Sequence, residues 1–350
     1  YKLDSLDFSA CVLDEGGQCT EPGGAIALKR GGKQVVIVGD PQQLPPTVLS
    51  EPAKKKGYGM SLLERLMRGG YPYRTLDTQY RMTPSISAFP NHIFYHGRLK
   101  DGANVLQATY LPGFVLGGLA GGARGGAEIG MEGALLPFVF FDLVHGKDIL
   151  SQSSRVNQEE GVFSMNLLSH IVTIIDKVAG IMQASNTGNG IHNPPIKIGI
   201  ITPYAEQLSS LRRRFASSTP TLPPGISIHW GTVDGFQGAE TDVVIFSTVR
   251  ANDQKSIGFL SDYRRMNVAL TRAKALLCVI GSADTLRGDD VWGALVGHAE
   301  RQDALVRVER GLSVEESLRR KAWYTPIFVP PPSSQVSDNA GGMAALQYSS

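Results

Sequence analysis

Two adjacent carboxylates open the chemistry of this chain. Val12-Leu13 is the end of a short apolar run, and it delivers Asp14 and Glu15 to one place. A strand end that presents paired acids can hold Mg²⁺ through one carboxylate and orient an attacking water through the other. Asp14 is the candidate metal ligand and Glu15 the candidate general base. An Asp-Glu pair is common by itself, and a strand running into a solvated turn would read the same way. Further along, Val38-Gly39-Asp40-Pro41-Gln42-Gln43-Leu44-Pro45-Pro46 follows a second apolar run. Glycine permits a sharp exit from the strand and the prolines stiffen the far side. Asp40 and Gln43 are therefore held in a rigid loop, where an amide can donate to a phosphate oxygen or to a water.

The elements that would position these groups alternate along the chain. Ala10–Asp14, Gln34–Val38, Pro137–Leu143, Ile196–Ile201, Asp242–Ser247 and Ala275–Ile280 are short runs rich in Val, Ile and Phe. Such runs suit strands buried on both faces. Helical patterns over Ser61–Arg68, Gln158–Met182, Ala205–Phe215 and Asp262–Arg272 lie between them. Strand–helix alternation predicts an α/β fold with parallel sheets, whose ligands gather at the carboxyl ends of the strands.

Composition sets bounds. The chain has 350 residues, 42% of them hydrophobic, and a net charge of +2. That charge does not announce a polyanionic partner, so a nucleic-acid reading has to rest on local residues. Three cysteines, Cys11, Cys19 and Cys278, form no CxxC pair and suggest no disulfide framework. No apolar run is expected to span a membrane. Residues 112–133 are glycine-rich and predict a flexible loop, and the chain from about residue 330 onward predicts disorder.

The motifs taken in order carry a resemblance. Asp14-Glu15-Gly16-Gly17-Gln18 and Gly39-Asp40-Pro41-Gln42-Gln43-Leu44-Pro45-Pro46 resemble motifs II and III of superfamily 1 helicases. Leu76-Asp77-Thr78-Gln79-Tyr80-Arg81-Met82, with Phe94-Tyr95-His96-Gly97-Arg98-Leu99 behind it, is similar to motif IV of one branch. That branch holds the nonsense-mediated-decay helicase and the senataxin-like helicases. Ile201-Thr202-Pro203-Tyr204, Thr232-Val233-Asp234-Gly235-Phe236-Gln237-Gly238-Ala239-Glu240 and Arg264-Arg265-Met266-Asn267-Val268-Ala269-Leu270-Thr271-Arg272-Ala273-Lys274 follow in the same order as the later motifs.

The resemblance implies two RecA-like domains around ATP and Mg²⁺. Residues 1–75 would supply the trailing part of the first, residues 76–300 the second, and residues 301–350 a tail. Arg81 and Arg272 would reach the γ-phosphate, with Gln43 beside Asp14 and Glu15 in the hydrolytic set. Tyr80 would stack on adenine, and Asp40, Gly238 and Glu240 would complete the nucleotide site. Single-stranded RNA or DNA would cross the sheet edges at Thr202, Pro203, Tyr204, Thr232 and Asp234. Thr202-Pro203 also reads as a helix start. Nucleus and cytoplasm both fit such a protein.

One departure stands out. No G-x-x-x-x-G-K-[ST] phosphate loop occurs in these residues; in the family it precedes motif II, and so would fall upstream of Tyr1. Two readings follow: a helicase ATPase whose amino-terminal half is missing here, which Tyr1 favours over a start Met, or a non-catalytic remnant that binds nucleic acid or protein.

Overall fold

The computed structural model describes residues 8–107, 133–151, 153–184, 195–218 and 222–324. The expected glycine-rich loop lies almost wholly outside the described residues, and the expected disordered tail lies entirely outside them. A six-stranded sheet dominates, in the order β12 (Leu305–Val308), β5 (Phe138–Leu143), β11 (Ala273–Gly281), β10 (Thr241–Ser247), β8 (Ile196–Thr202), β9 (Ile226–Thr232). Every neighbouring pair is parallel. This is the α/β architecture with a parallel sheet expected from the sequence.

Strand periodicity splits the core in two. Phe138 and Phe140 of β5 face one hydrophobic cluster with Leu277 and Val279 of β11. Val139 and Phe141 face the other with Leu276, Cys278 and Ile280. Side chains alternate across a strand, so continuous apolar runs are what a sheet covered on both sides requires. Helices α4 (Pro84–Phe94), α7 (Tyr263–Leu270) and α9 (Asp290–Arg301) cover the first face. Helices α5 (Gln158–Ala184), α6 (Ala205–Ser218) and α10 (Val314–Leu318) cover the second.

Helix α5 departs from the expectation of no membrane-length run. Gln158–Gly180 is long and apolar enough to cross a membrane by length and composition. Its Phe163, Leu167, Leu168, Ile171, Ile174, Ile175 and Val178 are buried in the second cluster, at helical spacing. Among the described residues its apolarity is that of a core helix.

The sheet also runs past the boundary expected at residue 300. Strand β12 pairs with β5 as the edge strand, and Val314, Leu318 and Tyr324 complete the second cluster. Residues 301–324 are therefore part of the packed domain. Four residues of Leu-Val-Arg-Val are too short a run to stand out in sequence.

The amino-terminal lobe is a smaller unit. Strands β1 (Phe8–Leu13) and β2 (Gly31–Ile37) form a two-stranded parallel sheet, joined by helix α1 (Glu21–Arg30). Helix α3 (Leu62–Arg68) begins at Ser61, whose side chain accepts from the Glu64 amide. Val12 and Val36 are exposed on this pair. Leu44 leaves the lobe and is buried in the first cluster of the large sheet, against α4.

Candidate active site

Strand β1 ends at Leu13, so Asp14 and Glu15 emerge where the sequence places them, both exposed. Asp14 Oδ1 accepts from the Glu15 amide at 2.9 Å, and Gln18 Nε2 donates to Glu15 Oε2 at 2.6 Å. Glu15 has φ 53°, a strained setting for a side-chain-bearing residue, and the turn re-aims its carboxylate.

The loop after β2 is organised by one carboxylate. Asp40 Oδ1 accepts from the Gln42 amide at 2.9 Å and Oδ2 from Gln43 Nε2 at 3.2 Å. The same Oδ2 accepts from the Tyr95 hydroxyl at 2.7 Å, across from the end of α4. Asn267 Nδ2, on α7, donates to the Tyr95 oxygen at 2.9 Å and to the Gln42 carbonyl at 2.9 Å. Burial, and the negative charge of Asp40 next, push the Tyr95 phenol well above its ordinary range, so it stays a donor. A second bridge joins Arg264 Nη2 to Glu64 Oε1 at 3.2 Å. The expected role of Asp40 in nucleotide binding thus gains a structural side: its acceptors are engaged by Gln42, Gln43 and Tyr95.

The opposite wall is cationic. Arg272 has 2% exposure; its Nε donates to the Val268 carbonyl at 2.9 Å, Nη1 to the Ala239 carbonyl at 3.2 Å and Nη2 to Thr271 Oγ1 at 3.0 Å. Burial first, and the charge of Arg81 second, push its pKa down to about 10, while Tyr95, Glu15 and Glu240 act in the other direction. Arg81 and Glu240 are joined to this arginine's surroundings by direct contacts as well. Arg81 donates from Nε to Glu240 Oε2 at 3.0 Å and from Nη1 to the Thr271 carbonyl at 3.2 Å. Lys274 Nζ lies 2.6 Å from Glu240 Oε1. The hydrogen bond from Lys274, with that from Arg81, holds the Glu240 carboxyl below its usual range despite partial burial.

Tyr80 is 64% exposed, and its ring lies against the Cα of Gly102, where any side chain would collide with it. The ring is otherwise largely open to solvent. Gln79 builds the turn that presents it: Oε1 accepts from the amides of Arg81 at 3.0 Å and Met82 at 2.8 Å, and Nε2 donates to the Met82 carbonyl at 2.8 Å. Gly238 has φ 77°, and the turn around it carries Glu240 toward Arg81.

The residues expected to meet nucleic acid lie at and just beyond the carboxyl ends of β8 and β9. Thr202 is fully buried and Tyr204 nearly so. Helix α6 starts at Ala205, with Leu208 N bonded to the Tyr204 carbonyl, so Pro203 is not its first helical residue. Thr232 pairs with Thr202 at the carboxyl end of β9 and accepts from the Gly235 amide at 3.3 Å. Asp234 is exposed and lies 3.3 Å from Arg265 Nε.

Sequence reasoning assigned no role to Gln79, Tyr95 or Asn267. Asn267 carried a signal: a polar residue inside the apolar run Met266–Leu270 has to find a partner, and it is fully buried. Among the described residues no cluster of three or more His, Cys, Asp or Glu could hold a metal ion. A lone Asp14 still fits Mg²⁺, which keeps several waters and takes one or two protein carboxylates beside phosphate oxygens.

The family description "AAA domain" matches residues 58–284, and a second of the same description matches residues 1–51. The chain belongs to the superfamily 1 helicases, in the branch of the nonsense-mediated-decay and senataxin-like proteins. It is 39% identical over 309 residues to "Probable helicase MAGATAMA 3" of Arabidopsis thaliana, covering 87% of this chain and 34% of that protein. It is 38% identical over 336 residues to "Helicase SEN1" of Saccharomyces cerevisiae, covering 95% of this chain and 14% of that protein. "ATP-dependent helicase NAM7" of the same yeast is 34% identical over 309 residues, 87% of this chain and 28% of that one. The chain thus spans about a third or less of these helicases. A solved arterivirus nonstructural protein 10 helicase, in complex with DNA, overlaps 81% of this chain and 43% of its own at 14% identity and a TM-score of 0.37.

Proposed function

We propose that this chain is the second motor lobe, with the trailing part of the first, of a helicase that hydrolyses ATP while moving on single-stranded RNA or DNA. The boundary between the two parts falls near residue 75, after α3. The observation that supports this reading is that Arg81 and Glu240 are paired beside Arg272, on the lobe whose Tyr95 and Asn267 hold the Asp40–Gln43 loop of the other. Two neighbouring guanidiniums suit a group whose negative charge is spread over several oxygens.

Each side chain then has a task. Glu15 accepts the proton of a water that Gln43 orients. Arg81 and Arg272 donate to γ-phosphoryl oxygens, and Glu240 keeps Arg81 aimed until they do. Tyr80 offers its open face to the adenine. Asp14 would hold Mg²⁺, which would supply positive charge to offset that of the phosphates. The two arginines come from the large lobe and Asp14 and Glu15 from the small one, so on this reading hydrolysis requires the lobes to be closed. The main-chain groups after β8 and β9, with Thr232 and Asp234, would follow the strand backbone without reading sequence.

These 350 residues include no phosphate loop, and its backbone amides and lysine supply much of the hold on a triphosphate. That observation favours a second reading for the isolated chain: it binds strands and hydrolyses little. The experiment is ATP turnover by these residues with and without single-stranded RNA, compared with a polypeptide that adds a phosphate loop ahead of them. Turnover only in the longer protein, lost in Glu15→Gln, supports the motor. Turnover in neither excludes it.

A further inference from the structure

Away from the cleft, a cavity of about 220 Å³ opens between the hairpin β6 (Asp148–Ser151)–β7 (Ser154–Asn157) and the segment that follows β10. We propose that this cavity takes one base and its phosphate from a bound single strand, with the base on Phe259 and the phosphate at Arg155. The proposal rests on the nucleic-acid reading above and names a contact which that reading does not contain.

Its place in the fold is the first argument. Tyr204 follows the carboxyl end of β8 and Arg250 follows that of β10, and both line the cavity. Carboxyl ends of parallel strands are where ligands gather.

The second argument is the aromatic surface. Phe259 is 61% exposed, and its ring lies 5.7 Å from the buried Tyr204 ring at an interplanar angle of 53°. Leu150 stands exposed on the facing hairpin. An aromatic face and an aliphatic neighbour form a slot for a flat ring. A cavity of about 150 Å³ already admits benzene, so the room here is enough for a base. Base–aromatic stacking is tolerant of sequence, as a motor requires.

Charge is the third. The buried carboxylate of Asp148 is shared by two arginines, Arg155 Nη1 at 2.8 Å and Arg250 Nε at 3.0 Å. It also accepts from the Ala251 amide at 3.2 Å and from Asn252 Nδ2 at 3.1 Å. Two guanidiniums against one carboxylate leave a residual positive charge at the cavity wall. Arg250 is almost wholly enclosed and Arg155 is about one-third exposed, so Arg155 presents that charge to solvent. Gly258, with φ 57°, keeps the wall closed: a Cβ there would collide with the Arg250 guanidinium. The wall is thus built before any ligand arrives, and an anion meeting it pays little reorganisation.

The test uses the full chain and fluorescein-labelled U12, read by anisotropy at several salt concentrations, and a U12 carrying 2-aminopurine to report stacking. The expected result is binding by the wild type with loss of 2-aminopurine fluorescence. Phe259→Ala weakens binding by roughly 5- to 100-fold and restores the fluorescence, whereas Phe259→Trp keeps both properties. Arg155→Gln lowers the salt dependence by the equivalent of about one phosphate contact. Wild-type binding that Phe259→Ala leaves unchanged in affinity and fluorescence removes the base from this cavity and leaves the patch to a protein surface. A wild type that binds no strand under any salt condition overturns the nucleic-acid reading itself, and this proposal with it.

Discussion

The Tyr95 hydroxyl donates to Asp40 Oδ2 at 2.7 Å, joining the lobe that carries Gln43 to the lobe that carries Arg272. Asn267 stands behind it, holding the Tyr95 oxygen and the Gln42 carbonyl at once. The loop bearing the water-orienting candidate is therefore fastened to the helix that leads into Arg272.

Removing the Tyr95 oxygen tests that fastening. Tyr95→Phe deletes a hydrogen bond to a charged acceptor, worth about 1.5–3 kcal/mol. Hydrogen exchange at the Gln42 and Gln43 amides is expected to accelerate by about tenfold or more while amides of β10 and β11 are unchanged. Asp40→Asn combined with Tyr95→Phe should cost less than the two separate effects added together, since both remove the same contact. Strict additivity would mean that the hydroxyl and the carboxylate act independently.

Arg272→Ala, placed in a polypeptide that includes a phosphate loop, is expected to slow ATP turnover by about 10³-fold or more while strand affinity changes little. The guanidinium is also part of the core, so Arg272→Lys serves as a control that keeps a cation. Both variants are compared by thermal melting and by turnover. A melting temperature that falls while turnover persists would assign Arg272 to stability alone.

Glu160 gives a pH dependence that has nothing to do with hydrolysis. It is fully buried at the start of α5; its Oε2 accepts from Ser247 Oγ at 2.6 Å and the Val249 amide at 2.8 Å. Desolvation dominates over these donors and pushes its pKa up to about 8. The folded state keeps a proton that the unfolded state releases near pH 4.5. Stability from this group is therefore full below about pH 4.5 and is lost as pH rises toward about 8. Glu160→Gln should flatten the dependence of melting temperature on pH across that window. An equally steep profile in the variant would place the titration elsewhere.

The small parallel pair β1–β2 should be less protected than the six-stranded sheet. Val12 is 68% exposed and Val36 53%, whereas Val244 and Ile245 of β10 have no exposure. Parallel strands draw their stability from cover on both faces. Exchange of the Val12 and Val36 amides is expected well before those of Val244 and Ile245 in the isolated chain. Simultaneous exchange would indicate one cooperative unit.

Much of the fold could be read from residues because buried parallel strands announce themselves. The runs around Val12, Phe140, Ile200, Val244 and Leu277 each became a strand within a residue or two of the expected bounds. Helix α4 escaped notice since Pro84 and Pro90 both sit in it, and Pro90 is buried inside the helix. Strand β12 escaped through its brevity. In the site, Asp14, Glu15, Arg81, Glu240 and Arg272 are legible from motif order, and Arg81 pairs with Glu240 and reaches the Thr271 carbonyl next to Arg272. The contribution of Tyr95 could not be read, because its acceptor lies 55 positions away in sequence and its meaning is a contact between lobes. Thr202 and Tyr204 show the converse, in that polar residues at a strand end turned out to be interior.

The tethering of Arg272 has a mechanical consequence. A guanidinium anchored to Val268, Ala239 and Thr271 has no rotamers left to search. If Arg272 acts on a phosphoryl oxygen as proposed, its approach would be a movement of the lobe that carries it and not of the side chain alone, and turnover would then slow as solvent viscosity rises.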